Sequence, residues 1–110
     1  MDCIFCKIAQ KQAPAEFFYE DERVFAIKPL EPAMPVHILI IPKKHIPSID
    51  HLTPEDQQLL SEMFFVAKKL AEEKGVSSLA NEEKGYKLVF NVGKGADQTV
   101  GHLHLHLLAR

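Results

Sequence analysis

The 110 residues are enough for one domain, and 46% apolar with 25% charged content is ordinary for a globular chain. A formal net charge of −2 with no basic patch excludes a general binder of nucleic acid or of anionic membranes. The longest apolar stretch, around Val36 to Ile41, is far too short to span a bilayer.

The chain begins MDCIFCKIAQ, with an acid at position 2 and no long apolar run. This does not read as a secretory signal, so a cytoplasmic location is expected. Cys3 and Cys6 are the only cysteines. In a reducing compartment a lone CxxC is a metal or redox pair rather than a structural disulfide. The surrounding CIFCKIAQKQ forms a short helix or a turn.

AEFFYEDERVFAIKP reads as a hairpin: Phe17 to Glu20 and Arg23 to Ile27 are aromatic and β-branched, with Asp21-Glu22 at the turn. Pro29, Pro32 and Pro35 then enforce an extended loop. VHILIIP is a continuous apolar strand ended by Pro42, expected at the centre of a sheet. In the helix that follows, Thr53 is the expected N-cap, Pro54 suits the first turn, and Glu55 and Asp56 suit the positive helix end. Leu59, Met63, Val66, Ala67 and Leu70 keep helical spacing, and Gly75 ends the helix. Leu60, Phe64 and Phe65 widen the apolar stripe, as suits either a deeply packed helix or one shared with a second subunit. SSLANEEKG is an exposed connection, YKLVFNV a strand, and GKGADQTVG a glycine-rich loop leading into VGHLHLHLLAR. Consecutive strands with one long helix make this an α+β domain with an antiparallel sheet.

His102, His104 and His106 alternate with Leu103, Leu105 and Leu107. Along a strand the histidines share one face and the leucines the other, which packs into the core. Same-face neighbours lie about 6.6 Å apart, so His102 and His106 are separated by about 13 Å. One ion with bonds near 2.1 Å does not collect all three, although two could share one. Structural hydrogen bonding would satisfy a single histidine. Three in alternation fit better with chemistry on an anion: a nucleophile, a donor to charged oxygen and a proton relay side by side. The preceding loop offers glycines, backbone N–H groups and the Thr99 hydroxyl to a phosphate. His37 opens the apolar strand, His45 follows its end, and Asn91 ends KLVFN; His37 and Asn91 gain meaning if their strands flank the histidines.

These residues resemble the histidine-triad (HIT) superfamily, whose defining pattern is His-φ-His-φ-His-φ-φ with φ apolar. The likeness runs through CIFCKI, EDERVFAI, AMPVHILIIPKKHI, LVFN and QTVGHLHLHLL, nearly the whole chain. Within the superfamily the chain is most similar to the Hint branch of purine nucleoside phosphoramidate hydrolases. The resemblance implies a single HIT domain over 1–110, with a five-stranded, mainly antiparallel sheet, a short N-terminal helix, and one long helix at about 54–74 on the seam of a homodimer. It implies a nucleoside 5′-phosphoramidate or related purine nucleoside monophosphate ester as substrate, with no cofactor for catalysis. His104 would be the nucleophile carrying a covalent nucleotidyl group, His106 would contact non-bridging phosphate oxygens, and His37 and His102 would be supporting relays. Asn91 and Gln98 would hold the phosphate and leaving-group side, Thr99 would stand near the leaving group, and Leu30 near sugar or base. Bacterial members with this N-terminus hold a structural zinc, here matched by Cys3, Cys6, His45 and His102.

One position departs from the pattern: Pro29 stands where the family usually has an aspartate for the ribose hydroxyls. Lys28 and Glu31 are its polar neighbours. The competing readings are a dinucleoside polyphosphate hydrolase, a nucleotide-binding module with little turnover, and a zinc protein without catalysis.

Overall fold

The computed structural model describes residues 3–110. Met1 and Asp2, part of the N-terminal reading, lie outside them. The elements in chain order are helix α1 (Ile4–Ala9), strands β1 (Phe17–Glu20), β2 (Val24–Ile27) and β3 (Val36–Pro42), helix α2 (Gln57–Glu73), and strands β4 (Lys87–Val89) and β5 (Leu105–Ala109). The strands form one sheet in the order β1-β2-β3-β5-β4, every neighbouring pair antiparallel. The α+β expectation holds, and the apolar VHILIIP segment is the central strand.

Each boundary has a local cause. Asp21 makes the first turn: its carboxylate accepts from the N–H groups of Arg23 and Val24 at 2.8 Å each. One 3₁₀ turn, Pro54–Asp56, precedes α2, so the regular helix starts three residues later than its N-cap predicts. Thr53 and Asp56 form a reciprocal capping box, with the Thr53 N–H donating to Asp56 Oδ2 at 3.0 Å. Gly75, at φ +73°, ends the helix in the left-handed region. The predicted strand YKLVFNV shrinks to Lys87–Val89 at the sheet edge. It stops before Asn91, where the chain heads for the turn that Gly93 makes at φ +81°.

The sheet has a helix on each face. On one, Leu59, Met63, Val66, Ala67, Leu70 and Ala71 of α2 pack with Val24, Ala26, Ile38, Ile40, Leu103, Leu105 and Leu107. On the other, Phe5 and Ile8 of α1 pack with Phe25, Ile27, Leu39 and Ile41. The three leucines of the histidine segment thus lie on the α2 face, as their alternation predicts. A one-residue slip of β5 would swap leucines for imidazoles against α2. At about 1.5–3 kcal/mol per buried leucine, that penalty fixes the register and turns the histidines toward α1. Among the described residues no helix is long and apolar enough to cross a membrane.

Candidate active site and metal centre

β5 starts only at Leu105, so His106 alone of the three histidines lies inside the strand. His104 immediately precedes it, and His102 sits in a bend beyond. The straight comb expected from the sequence is therefore broken, and its far end lies in a bend outside the strand. His102 and His104 are buried, while His106 is half-buried.

Hydrogen-bond partners set the tautomer of each ring. Nδ1 of His104 lies 2.7 Å from the His102 carbonyl oxygen. A carbonyl only accepts, so Nδ1 carries the hydrogen and Nε2 keeps its lone pair. The Ala33 N–H donates to Nδ1 of His37 at 2.9 Å, which puts the His37 hydrogen on Nε2. That nitrogen lies 3.0 Å from Nδ1 of His106 and donates to it, leaving the His106 hydrogen on Nε2. Register makes this contact possible: His37 is opposite Leu108 and His106 opposite Leu39, so the two imidazoles are diagonal neighbours on one face. The rings of His104 and His106 are 5.0 Å apart between centroids. Among the described residues, Nε2 of His104 and Nε2 of His106 have no hydrogen-bond partner. One is an acceptor and the other a donor.

Burial keeps these rings neutral. It lowers the pKa of His104 against the opposing effect of the His102 carbonyl. It pushes His106 down to about 4, assisted by the neighbouring His104 and His37. His37 is lowered by burial and then by His104. A neutral imidazole is the form that attacks an electrophile.

The ring of His102 belongs to a different cluster. Its Nε2 lies 2.8 Å from the Pro42 carbonyl and donates to it, so Nδ1 is a lone pair. Nδ1 stands 3.2 Å from Cys3 Sγ, 3.6 Å from Cys6 Sγ and 3.1 Å from His45 Nδ1. Cys6 Sγ lies 3.3 Å from His45 Nδ1, and all four donor atoms fall within 4.8 Å of one another. A tetrahedral zinc with Zn–S near 2.3 Å and Zn–N near 2.05 Å spaces its ligand atoms about 3.3–3.8 Å apart. The two-sulfur, two-nitrogen set therefore fits a structural zinc in chemistry and spacing. The Pro42 carbonyl supplies the outer hydrogen bond that orients a ligating histidine. Burial, with Cys3 next, raises the Cys6 thiol, and a bound cation reverses that penalty. Both ring nitrogens of His102 are thus engaged, and it reaches the triad through its main chain.

The remaining expected residues fall into two groups. Gln98 and Asn91 tie the loop before His102. Gln98 Nε2 donates to the carbonyls of Pro47 and Val100 at 2.7 and 2.9 Å, and its Oε1 accepts from the Gly93 N–H. Asn91 Nδ2 donates to the Ala96 carbonyl at 2.8 Å. Thr99 is exposed on this loop, and Leu30 is fully exposed on the proline loop with Glu31 beside it. Neither joins the hydrogen-bonded histidine network. The sequence did not single out Phe5, whose ring edge meets His102 at 5.8 Å and His104 at 5.2 Å between centroids. Its only signal was an aromatic residue between two cysteines.

Residues 2–110 match the family described as "Scavenger mRNA decapping enzyme C-term binding". The chain is 42% identical over 107 residues to the protein HitA of Neisseria gonorrhoeae, covering 97% of this chain and 94% of that one. It is 38% identical over 107 residues to the purine nucleoside phosphoramidase of Escherichia coli strain K12, covering 97% and 86%. Among solved structures, the HIT family hydrolase from Clostridium thermocellum superposes with a TM-score of 0.92 at 47% identity, covering 99% of this chain and 90% of that one. A zinc-bound histidine triad family protein from Mycobacterium smegmatis superposes with a TM-score of 0.84 at 36% identity, covering 100% and 76%.

Proposed function

The chain is an enzyme of the histidine-triad family, and from that premise we propose that it hydrolyses purine nucleoside 5′-phosphoramidates through a nucleotidyl group carried on His104. The observation that carries this reading is the pair of uncommitted nitrogens: a lone pair on His104 Nε2 and an N–H on His106 Nε2, on rings 5.0 Å apart. The activity of the Escherichia coli relative supports the substrate class.

In the first step Nε2 of His104 attacks phosphorus. The P–Nε2 bond forms, the P–N bond to the leaving amine breaks, and the amine departs with a proton supplied by solvent on the exposed Thr99 side. The imidazole becomes cationic as it attacks. The His102 carbonyl, already accepting from Nδ1–H, stabilises that charge. His106 Nε2–H donates to a non-bridging phosphoryl oxygen, where charge develops. His37 holds His106 in the donating tautomer. Water then attacks phosphorus and gives up a proton to solvent, the bonding pair of P–Nε2 returns to His104 and neutralises it, and a nucleoside monophosphate leaves. Splitting one displacement into two is the gain from covalent catalysis. Asn91 and Gln98 act by shaping the loop that delivers Thr99 and His102.

Zinc held by Cys3, Cys6, His45 and His102 would supply rigidity at the N-terminus. Two chains pair across α2 and β4, where Phe64 and Leu88 are exposed. The test is a kinetic panel of adenosine and guanosine 5′-phosphoramidates and dinucleoside polyphosphates against wild type and His104→Ala. Faster release of the nucleoside monophosphate from phosphoramidates, lost in the variant, is expected. Turnover unchanged in His104→Ala would overturn the assignment.

A further inference from the structure

We propose that the Cys3–Cys6–His45–His102 centre positions the nucleophile as well as anchoring the N-terminus, with His102 and Phe5 as the positioning residues between metal and His104. The inference rests on the reading of His104 as the nucleophile.

Two physical links join the sites. The first runs through one residue. His102 is buried and held at three points: Nδ1 in the thiol cluster, Nε2–H on the Pro42 carbonyl, and its own carbonyl on His104 Nδ1–H. Its ring and its carbonyl belong to one residue, so turning the ring out of the cluster drags the peptide that fixes His104. Without that carbonyl, nothing among the described residues keeps the His104 hydrogen on Nδ1 and the lone pair on Nε2.

The second link runs through α1. Its N-cap is Cys3, its first turn holds Cys6, and Phe5 lies between them. Phe5 is buried, with its ring edge against both His102 and His104. A helix of six residues is far below the roughly 12–15 needed for independent stability, so its place depends on its anchors. Releasing the cysteines frees the aromatic wall that excludes water from His104. Metal occupancy therefore acts on two determinants of the chemical step: the orientation of the nucleophile and the dryness of its surroundings. Among the described residues the proline loop, where Leu30 would meet sugar or base, makes no hydrogen bond to the four side chains of the metal centre, so substrate binding is expected to change less than the chemical step.

The test compares the protein loaded with zinc, stripped by chelator, and reloaded. Three quantities are read: zinc content, the ring ¹⁵N shifts of His104, and the single-turnover rate beside KM. Stripping is expected to slow the chemical step at least about tenfold, as displacement of an attacking group does, with KM within about twofold. The shifts should change from one Nδ1–H tautomer to a mixture, and reloading should reverse both effects. A stripped, folded protein that keeps its rate and its single tautomer overturns the proposal. If circular dichroism shows that stripping unfolds the chain, Phe5→Leu with its zinc retained decides. A slower chemical step at unchanged zinc content supports the link through α1, and a wild-type rate and tautomer overturn it. If the zinc-loaded wild type turns over no phosphoramidate, the nucleophile reading fails. The tautomer measurement needs no substrate and still decides whether metal and His104 are coupled.

Discussion

His37 and His106 meet across β3 and β5 through a 3.0 Å Nε2–Nδ1 hydrogen bond whose direction is imposed by the main-chain N–H of Ala33 behind His37. The sense of this chain matters because it delivers an N–H, rather than a lone pair, at the open edge of His106. It works only while both rings are neutral, and burial keeps them so. His106 is therefore expected to titrate at about 4, with burial the leading cause and His104 and His37 adding to it. The sign of the linkage follows. The folded pKa lies below the unfolded value of about 6.5, so the stability from this ring is complete above that pH. It is lost as pH falls from about 6.5 toward about 4. Ring-carbon NMR through an acid titration checks this, and a His106 midpoint near 6.5 would refute it. His37→Ala should move the midpoint upward, because it removes both a like charge and part of the covering, and should slow turnover about tenfold.

His104→Ala removes the triad nitrogen that, among the described residues, is left as an unpartnered lone pair. Turnover is expected to fall by roughly 10³-fold or more, as when a covalent nucleophile is deleted. Far-ultraviolet circular dichroism should be unchanged. Wild type quenched in alkaline denaturant, where a P–N bond to imidazole survives, should show a mass increment of one nucleoside monophosphate less water, and the variant none. An increment that survives in His104→Ala would place the covalent step on another residue.

The parts of this molecule that were legible in the sequence are those governed by side-chain periodicity. Alternation placed Leu103, Leu105 and Leu107 in the core, and helical spacing identified the buried stripe of α2. The parts that were not legible depend on the main chain. Nothing in HLHLHLL shows that the strand starts only at Leu105, because the ring of His102 in the preceding bend is held by a cluster about 60 to 100 residues away in sequence. The carbonyls of Pro42 and His102 and the N–H of Ala33, which decide three tautomers, have no residue-type signature at all. The resemblance assigned Gln98 to the phosphate side. Its amide also closes the loop against Pro47, a non-local contact that a local motif cannot express.

Zinc content is the next quantity the geometry fixes. Four converging donors predict one zinc per chain, measurable by elemental analysis of protein purified without chelator. Zinc at a thousandfold excess over its dissociation constant stabilises the fold by about 4 kcal/mol. At about 4 °C per kcal/mol for a chain of this size, stripping should lower Tm by about 10–20 °C. Hydrogen exchange should rise first in α1, the element held by the two cysteines. Cys6→Ser should give the same low Tm with or without zinc. An unchanged Tm on stripping would mean that the cluster does not hold the metal in the folded protein.

The apolar stripe of α2 divides on its outer side, and the division makes a prediction about pairing. Phe64 is 39% exposed and stands edge-on to Phe90, 6.0 Å between centroids, beside β4 with its exposed Leu88. Phe65, 67% exposed, lies about 100° round the helix in a different groove with Tyr19, Glu62 and Lys69. β4 is an edge strand of three residues whose outer backbone groups have no partner strand in the sheet. Apolar cover next to an unpaired edge is the arrangement that a second chain completes. Light scattering in solution should therefore give twice the 12.4 kDa chain mass. Phe64→Glu should return it to one chain by burying a charge in the seam, whereas Phe65→Glu, in the other groove, should leave the pair intact. A monomeric wild type at micromolar concentration, or dissociation by Phe65→Glu with Phe64→Glu silent, would move the interface off this face.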